Sequence, residues 1–195
     1  MIATRVITKD DYHAFVERVE ARFEFDGKNI VALHSGIPVD ESLIAYVLSD
    51  DFEAKNLPSF PMPTKIHDII VSNITAILSI FLKCRPYRAY CQGTNLRVIQ
   101  EETEEEEQNK SRVPDIMVVE KNMEIRNAKH EVINPVVLIE VLSKSTQKID
   151  KTEKLEEYQA LESLQEYIMI AQDQPRVVIY RKITEKKWEE EIFDS

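Results

Sequence analysis

The sequence predicts an α/β (α+β) chain with a mixed central β-sheet flanked by helices, on three observations. The stretch Val136-Val137-Leu138-Ile139-Glu140-Val141-Leu142-Ser143 is a strand that is apolar on both faces, as a strand covered on both sides must be. Val113-Pro114-Asp115-Ile116-Met117-Val118-Val119 repeats the theme, with Asp115 opening a second apolar strand. From about Thr64 to Lys83 runs a long amphipathic helix. Helices mixed with strands along one chain suit helices packed on a sheet. With 195 residues, 43% of them hydrophobic, the chain has length enough for one domain over 1–195 with a real core.

In chain order, Thr8 stands as an N-cap, with Asp10 and Asp11 in the first turn where the helix dipole favours anions. Tyr12, Phe15, Val16 and Val19 continue it as a helical stripe. Phe23-Glu24-Phe25, Asp26-Gly27 and Asn29 to Leu33 read as a hairpin, because a D-G pair close to two apolar runs favours a tight turn. Strand alternation turns Glu24 away from both phenylalanines. Between 37 and 63, Leu43, Ile44, Val47 and Leu48 suggest a short helix, and Pro58 to Pro63 break the chain. On the long helix Ile66, Ile69, Ile70, Ile74, Ile77, Leu78 and Phe81 form a broad apolar arc that contains His67. That histidine is either a core-edge residue bonded to a backbone group or a polar group near a metal pocket or substrate phosphate.

Tyr87 to Cys91 and Asn95 to Ile99 read as strands on either side of Gln92-Gly93-Thr94. The acidic run Glu101 to Glu107 reads as a solvated loop, and the polar residues 120 to 134 as an exposed connection. After the cap-rich turn Ser143 to Asp150, a helix is expected to about Leu161, with Lys151, Lys154, Tyr158 and Leu161 sharing a face. Beside Tyr158 and Leu161, Lys154 leans inward with its stem packed; the competing reading pairs it with Glu153 or Glu157 on the surface. Glu166 to Ala171, Arg176 to Lys182 and Trp188 to Phe193 complete the strands, the last two as a hairpin.

A net charge of −10 argues against a binder that relies on a basic stripe. It does not argue against an enzyme whose carboxylates hold a cation. No apolar run reaches the roughly 18 to 20 residues that span a bilayer. The N-terminus lacks the charged-then-apolar pattern of a signal peptide, and Cys84 and Cys91 form neither a C-x-x-C pair nor a disulfide framework. A cytoplasmic location with no membrane partner is therefore expected.

Alternation places Val136, Leu138, Glu140 and Leu142 on one face of their strand and Val137, Ile139 and Val141 on the other. An ionised Glu140 there is costly unless a cation or metal ion pairs with it. With Asp115 it supplies hard carboxylate oxygens, which suit Mg2+ or Mn2+.

These residues carry a resemblance. The two acidic strands, followed by Ser145-Thr146, Asp150, Lys154, Tyr158, Leu164-Gln165-Glu166-Tyr167 and Val178-Ile179-Tyr180-Arg181, resemble the signature of the Uma-two family. That family comprises bacterial restriction-endonuclease-like proteins of the PD-(D/E)XK superfamily. Phe23-Glu24 with Asp26-Gly27 is similar to its opening hairpin, and His67 to a histidine early in its long helix. The likeness is dense from about 113 to 182 and thin before 64.

The resemblance implies a restriction-endonuclease-like fold and a Mg2+- or Mn2+-dependent endonuclease acting on DNA. Asp115 and Glu140 would be the metal-binding carboxylates, Lys154 the catalytic lysine carried on the following helix, and Glu24 an auxiliary acid. The sequence departs from the pattern at Leu142, where the superfamily places a lysine, and at Lys28, which replaces an acidic residue. The stretch from about 37 to 63 is also longer than the family's. Lys144 would share Glu140's face if that strand continued, so it stands as a second candidate lysine. Homodimerisation is expected of nucleases that cut both strands. A silent nuclease fold acting as a nucleic-acid-binding or assembly subunit is the alternative. A glycoside hydrolase built on Glu140 and Asp115 is disfavoured, because one tryptophan makes no sugar platform and Lys154 would have no role.

Overall fold

The computed structural model describes residues 6–19, 21–99 and 109–194, so the acidic run from Glu101 to Glu107 lies outside the described residues. Helix α1 (Lys9–Arg18) starts at Thr8, whose hydroxyl accepts from the Asp11 N–H while the Asp11 carboxylate accepts from the Thr8 N–H. This capping box satisfies two donors that the first turn would leave orphaned. The hairpin β1 (Phe23–Phe25) and β2 (Ile30–Ala32) follows, then the short β3 (Ile37–Pro38) and α2 (Glu41–Leu48). Helix α3 (Lys65–Phe81) leads to β4 (Tyr87–Cys91), β5 (Leu96–Val98), β6 (Lys110–Arg112), β7 (Ile116–Glu120) and β8 (Val137–Leu142). Two short helices, α4 (Gln147–Lys151) and α5 (Glu153–Gln159), precede β9 (Glu166–Ala171), β10 (Arg176–Thr184) and β11 (Lys187–Asp194).

The expected mixed sheet is present, and a second, antiparallel sheet stands beside it. One sheet has the order β3-β2-β1-β6-β5 and is antiparallel throughout. The other has the order β11-β10-β9-β8-β7-β4 and is mixed, because β8 and β9 pair in parallel across the α4–α5 crossover. The chain passes from the first sheet to the second at Val113-Pro114-Asp115. Pro114 has no N–H to continue a ladder, which ends β6 and frees the next residue to open β7. A second crossing, between β4 and β5, runs beside it. There Gln92 and Gly93 have φ of 33° and 110°, and the Gln92 N–H donates to the Asp115 carbonyl at 3.0 Å.

Each layer has its own apolar cluster. Leu138 and Leu142 of β8 pack with Tyr158, Tyr167 and Met169, while Ile139 and Val141 on the opposite face pack with Val71 and Ile116. The alternation read from sequence is therefore that of the folded strand. A third cluster joins α1 and α2 to the first sheet through Tyr12, Phe15, Phe23, Phe25, Ile44 and Val47. Among the described residues no helix is long and apolar enough to cross a membrane.

Three local expectations need correction. The helix expected from Asp150 to Leu161 starts at Gln147 and breaks at Thr152, whose φ of −124° and ψ of −87° are not helical. The Thr152 hydroxyl donates back to the Lys148 carbonyl at 2.7 Å, competing with the helix ladder. The break leaves Lys151 exposed while Lys154, Tyr158 and Leu161 remain buried. On α3, Ile70, Ile74 and Leu78 pack on the sheet, but Ile66, Ile69, Ile77 and Phe81 of the expected arc are exposed. One sheet surface covers only one face of a helix. The 120–134 connection is not wholly exposed: Val132 bridges Leu96 and Arg126, and fully buried Glu131 pairs with Lys9 at 2.9 Å.

The loop between β2 and β3 docks on α4 at Gly36, which has φ of +66°. Gly36→Ala therefore places an L side chain in left-handed backbone, at a cost of about 1 kcal/mol. Thermal unfolding of this variant should come about 2–4 °C below wild type.

Candidate active site

The two crossings and the α4–α5 segment bring a charged cluster together beneath the seam of the sheets. Its centre is Lys154, an ammonium on a residue 5% exposed. Lys154 Nζ lies 3.0 Å from Glu140 Oε1, 3.2 Å from Glu24 Oε1 and 3.3 Å from Asp150 Oδ1. Three separate elements thus converge on one amine: β8 supplies Glu140, β1 supplies Glu24 and α4 supplies Asp150.

Each carboxylate is held in place by further donors. Glu140 Oε1 also accepts from the Tyr158 hydroxyl at 3.1 Å, and its Oε2 accepts from the Asp115 N–H at 3.3 Å. Asp115 Oδ2 accepts from the Val141 N–H at 2.8 Å and lies 3.1 Å from His67 Nε2. Glu24 Oε1 accepts from the Val113 N–H at 2.9 Å, and Glu24 Oε2 lies 3.2 Å from Arg112 Nη1. Arg112 in turn grips Glu157 through two hydrogen bonds, from Nε at 2.8 Å and from Nη2 at 2.7 Å. Such a two-pronged pair fixes geometry as well as charge. A cavity of about 120 Å³ opens on this cluster and is lined in part by Glu24, His34, Asp150 and Lys154.

The electrostatics follow from crowding several carboxylates around few cations. Burial, with Asp115, Asp150 and Glu24 nearby, pushes Glu140 well above the usual carboxylate range despite Lys154. Burial likewise raises Asp150. At Glu24 burial acts in the same direction, but Lys154, Arg112 and the Val113 N–H outweigh it and hold it low. At Asp115 the His67 and Val141 contacts outweigh burial and lower it. Burial would lower Lys154, yet Glu140 and Glu24 overcome that and raise it well above an ordinary lysine. His67 is raised, because Asp115 outweighs burial, while burial and the neighbouring His67 lower His34. The two imidazoles meet edge to face at 5.4 Å.

Of the residues singled out by sequence, the fold brings Asp115, Glu140, Lys154, Glu24 and His67 into one network. Lys144 lies apart. Strand β8 ends at Leu142 and the chain turns, so Lys144 is exposed and lines a larger groove of about 790 Å³ with Gln147 and Lys151. Arg112, Glu157 and His34 were not legible as parts of the site. The one signal for Arg112 was its place just before Pro114-Asp115. His34 sits at φ of +68° in a loop whose path no periodicity encodes.

Asp115 and Glu140, the two carboxylates that the sequence reading assigned to a metal ion, are neighbours in the fold, joined by the Asp115 N–H to Glu140 Oε2 contact. Both contacts to the Asp115 carboxylate go to Oδ2, and none among the described residues engages Oδ1. No group of three or more His, Cys, Asp or Glu is arranged to bind an ion among the described residues. Two hard carboxylates fit an ion that keeps several water ligands, as Mg2+ does, and not a zinc ion enclosed by four protein ligands.

The shifts make opposite predictions for two neutralising variants. Glu140 is raised in the fold, so the folded chain takes up its proton more readily than the unfolded chain. The associated stability is present below the unfolded value and is lost as pH rises through the folded one. Glu24 is lowered, so its contribution is present above the unfolded value and lost as pH falls through the folded one. In metal-free protein at about pH 8, Glu140→Gln should raise the melting temperature by roughly 2–4 °C for each kcal/mol relieved. Glu24→Gln should lower it; the Glu140 difference should shrink as pH falls toward about 4, whereas the Glu24 difference should persist to about pH 4 and fade only below it. Differential scanning calorimetry across pH measures both.

Comparison with known proteins places the chain in a family. The family model of Uma2, described as "Putative restriction endonuclease", matches residues 57–195, which include Asp115, Glu140 and Lys154. The "Uncharacterized protein sll1609" of Synechocystis sp. is 28% identical over 123 residues, covering 63% of this chain and 66% of that relative, just under two thirds of its length. The crystal structure of "a putative nuclease belonging to DUF820" from Anabaena variabilis is similar with a TM-score of 0.51 and 27% identity. The match covers 69% of this chain and 70% of that one. The chain belongs to the Uma2 family.

Proposed function

We propose that this chain is a nuclease that hydrolyses phosphodiester bonds in DNA with Mg2+ or Mn2+, using Asp115, Glu140 and Lys154. The observation that carries the reading is the buried Lys154 ammonium, shared by Glu140, Glu24 and Asp150, with Asp115 tied to Glu140 through its own N–H. Strongly shifted groups gathered at one cavity are characteristic of sites built for chemistry. The Uma2 description and the name of the solved Anabaena relative support the same activity.

Hydrolysis of a phosphodiester joins a water oxygen to phosphorus, breaks the bond to the leaving oxygen and adds negative charge to the phosphoryl oxygens on the way. Asp115 and Glu140 would hold the metal ion, which when bound there would polarise the phosphate and lower the pKa of a coordinated water. Lys154 supplies a fixed positive charge and N–H donors where that charge develops. Its raised pKa keeps it protonated. Tyr158 and Lys154 together hold Glu140 Oε1. His67 and the Val141 N–H hold Asp115 by Oδ2, which leaves Oδ1 available as a ligand. Glu24 and Asp150 grip the ammonium from the other side, and Arg112 holds Glu24.

Cleavage of plasmid DNA, single-stranded DNA and RNA, assayed with Mg2+ and with Mn2+, tests the proposal. DNA cleavage should require the ion and fall by about a hundredfold or more in Glu140→Ala and Lys154→Ala. Lys144→Ala should retain it within a factor of about three, a difference of under 1 kcal/mol in barrier. Cleavage of RNA alone would overturn the DNA substrate. Binding of the ion with no turnover on any substrate would instead assign the chain a binding or assembly role.

A further inference from the structure

The groups assigned to hydrolysis leave one proton without an acceptor. A water that joins phosphorus must give up a proton, and a positioned base speeds that step. Lys154 is held protonated, and Glu24 and Asp150 are engaged on its ammonium. Under the nuclease reading Asp115 and Glu140 are reserved for the metal ion, and His67 is tied to Asp115. Arg112 is a permanent cation. At the rim, Asp26 accepts from the Lys28 and Asn29 N–H groups, and Glu153 pairs with Arg112.

His34 carries no such commitment. It lines the same cavity of about 120 Å³ as Glu24, Asp150 and Lys154, with room for a few waters. Among the described residues no hydrogen bond or ion pair engages its ring, which meets His67 edge to face at 5.4 Å. Its φ of +68° is left-handed, a conformation that few non-glycine residues adopt and that gathers at functional sites. Three hydrogen bonds impose it. The Leu33 N–H donates to the Arg22 carbonyl at 3.1 Å, and the Ser35 N–H to the Ala32 carbonyl at 3.2 Å. The Ser145 hydroxyl donates to the His34 carbonyl at 2.8 Å, tying this loop to the turn that follows the strand of Glu140.

The surrounding charges decide the state of the imidazole. His67 and Arg22 disfavour a proton on it, Asp115 and Asp68 favour one, and burial tips the balance to the neutral form. Across the cavity, Arg112 and Lys154 stand against Glu24, Asp26, Asp150 and Glu153. We propose that His34 is the general base of the reaction, its imidazole taking the proton of the attacking water as the oxygen–phosphorus bond forms. The bond to the leaving oxygen breaks with its electron pair, and that oxygen takes a proton from solvent. The imidazolium then returns its proton to bulk water. This role rests on the nuclease reading.

His34→Gly tests it, because glycine fits the left-handed backbone and leaves a gap where the ring stood. His34→Asn, which also tolerates that backbone, is the second variant. Circular dichroism and melting temperature report that each folds. In DNA cleavage at saturating Mg2+ near pH 7, kcat should fall about a hundredfold in both, with KM changed by less than about threefold. Wild-type kcat should rise with pH and level off below the ordinary histidine value of about 6.5, and the variants should lose that plateau. Added imidazole should speed His34→Gly at least about tenfold, which a packing role would not allow. Variants as fast as an active wild type, an unchanged pH profile or no rescue by imidazole would overturn the role of His34 and leave the nuclease reading standing. A wild type that cleaves nothing would remove both.

Discussion

A buried ammonium is the constraint on which the rest of this structure depends. An unpaired lysine at the depth of Lys154 would lose its proton or unfold its surroundings, because removing an ion from water costs several kcal/mol. Three carboxylates from three elements make that charge tolerable. The helix break at Thr152 accompanies a change of exposed face, from outward Lys151 to inward Lys154. The end of β6 at Pro114 brings Asp115 within reach of Glu140, and the opening hairpin carries Glu24 across from the other sheet. The two sheets are stitched together by polar contacts at this seam as well as by apolar packing.

The same crowding sets stability against chemistry. Glu24, Asp115, Glu140 and Asp150 outnumber the cations that touch them, and Arg112 is shared with Glu157. The mismatch falls on Glu140 and Asp150, which are raised, while Glu24 and Asp115 are held low by their own partners. A carboxylate held in this way is destabilising when ionised and gains most when a cation arrives. Active sites commonly retain such groups at a cost to the fold. Binding of an ion by the folded chain alone would return stability through mass action.

Much of this could be read from the chain before folding. The alternation of Val136 to Leu142 predicts which faces of β8 point where, and the folded clusters follow it. Glu140 is conspicuous because nothing else in that run is polar, and Lys154 because it shares a stripe with Tyr158 and Leu161. Arg112 and Glu157 are not conspicuous, since each reads as a surface charge until tertiary packing joins them. On α3 the periodicity identifies apolar positions but says nothing of what covers them, so the arc is broader than the packed face. The division into two sheets is equally hidden, because it turns on which strand meets which, and that is decided by long-range pairing at Pro114 and Gly93.

The most direct test of the account is calorimetric titration of the metal-free chain with Mn2+ near neutral pH, repeated in buffers of different ionisation enthalpy. If the carboxylate that burial holds above its usual range is a ligand of the metal site, binding should be accompanied by proton release. Both the binding and the release should disappear in Glu140→Gln. Binding that survives this substitution with no proton released, or no binding by the wild type, would contradict the account.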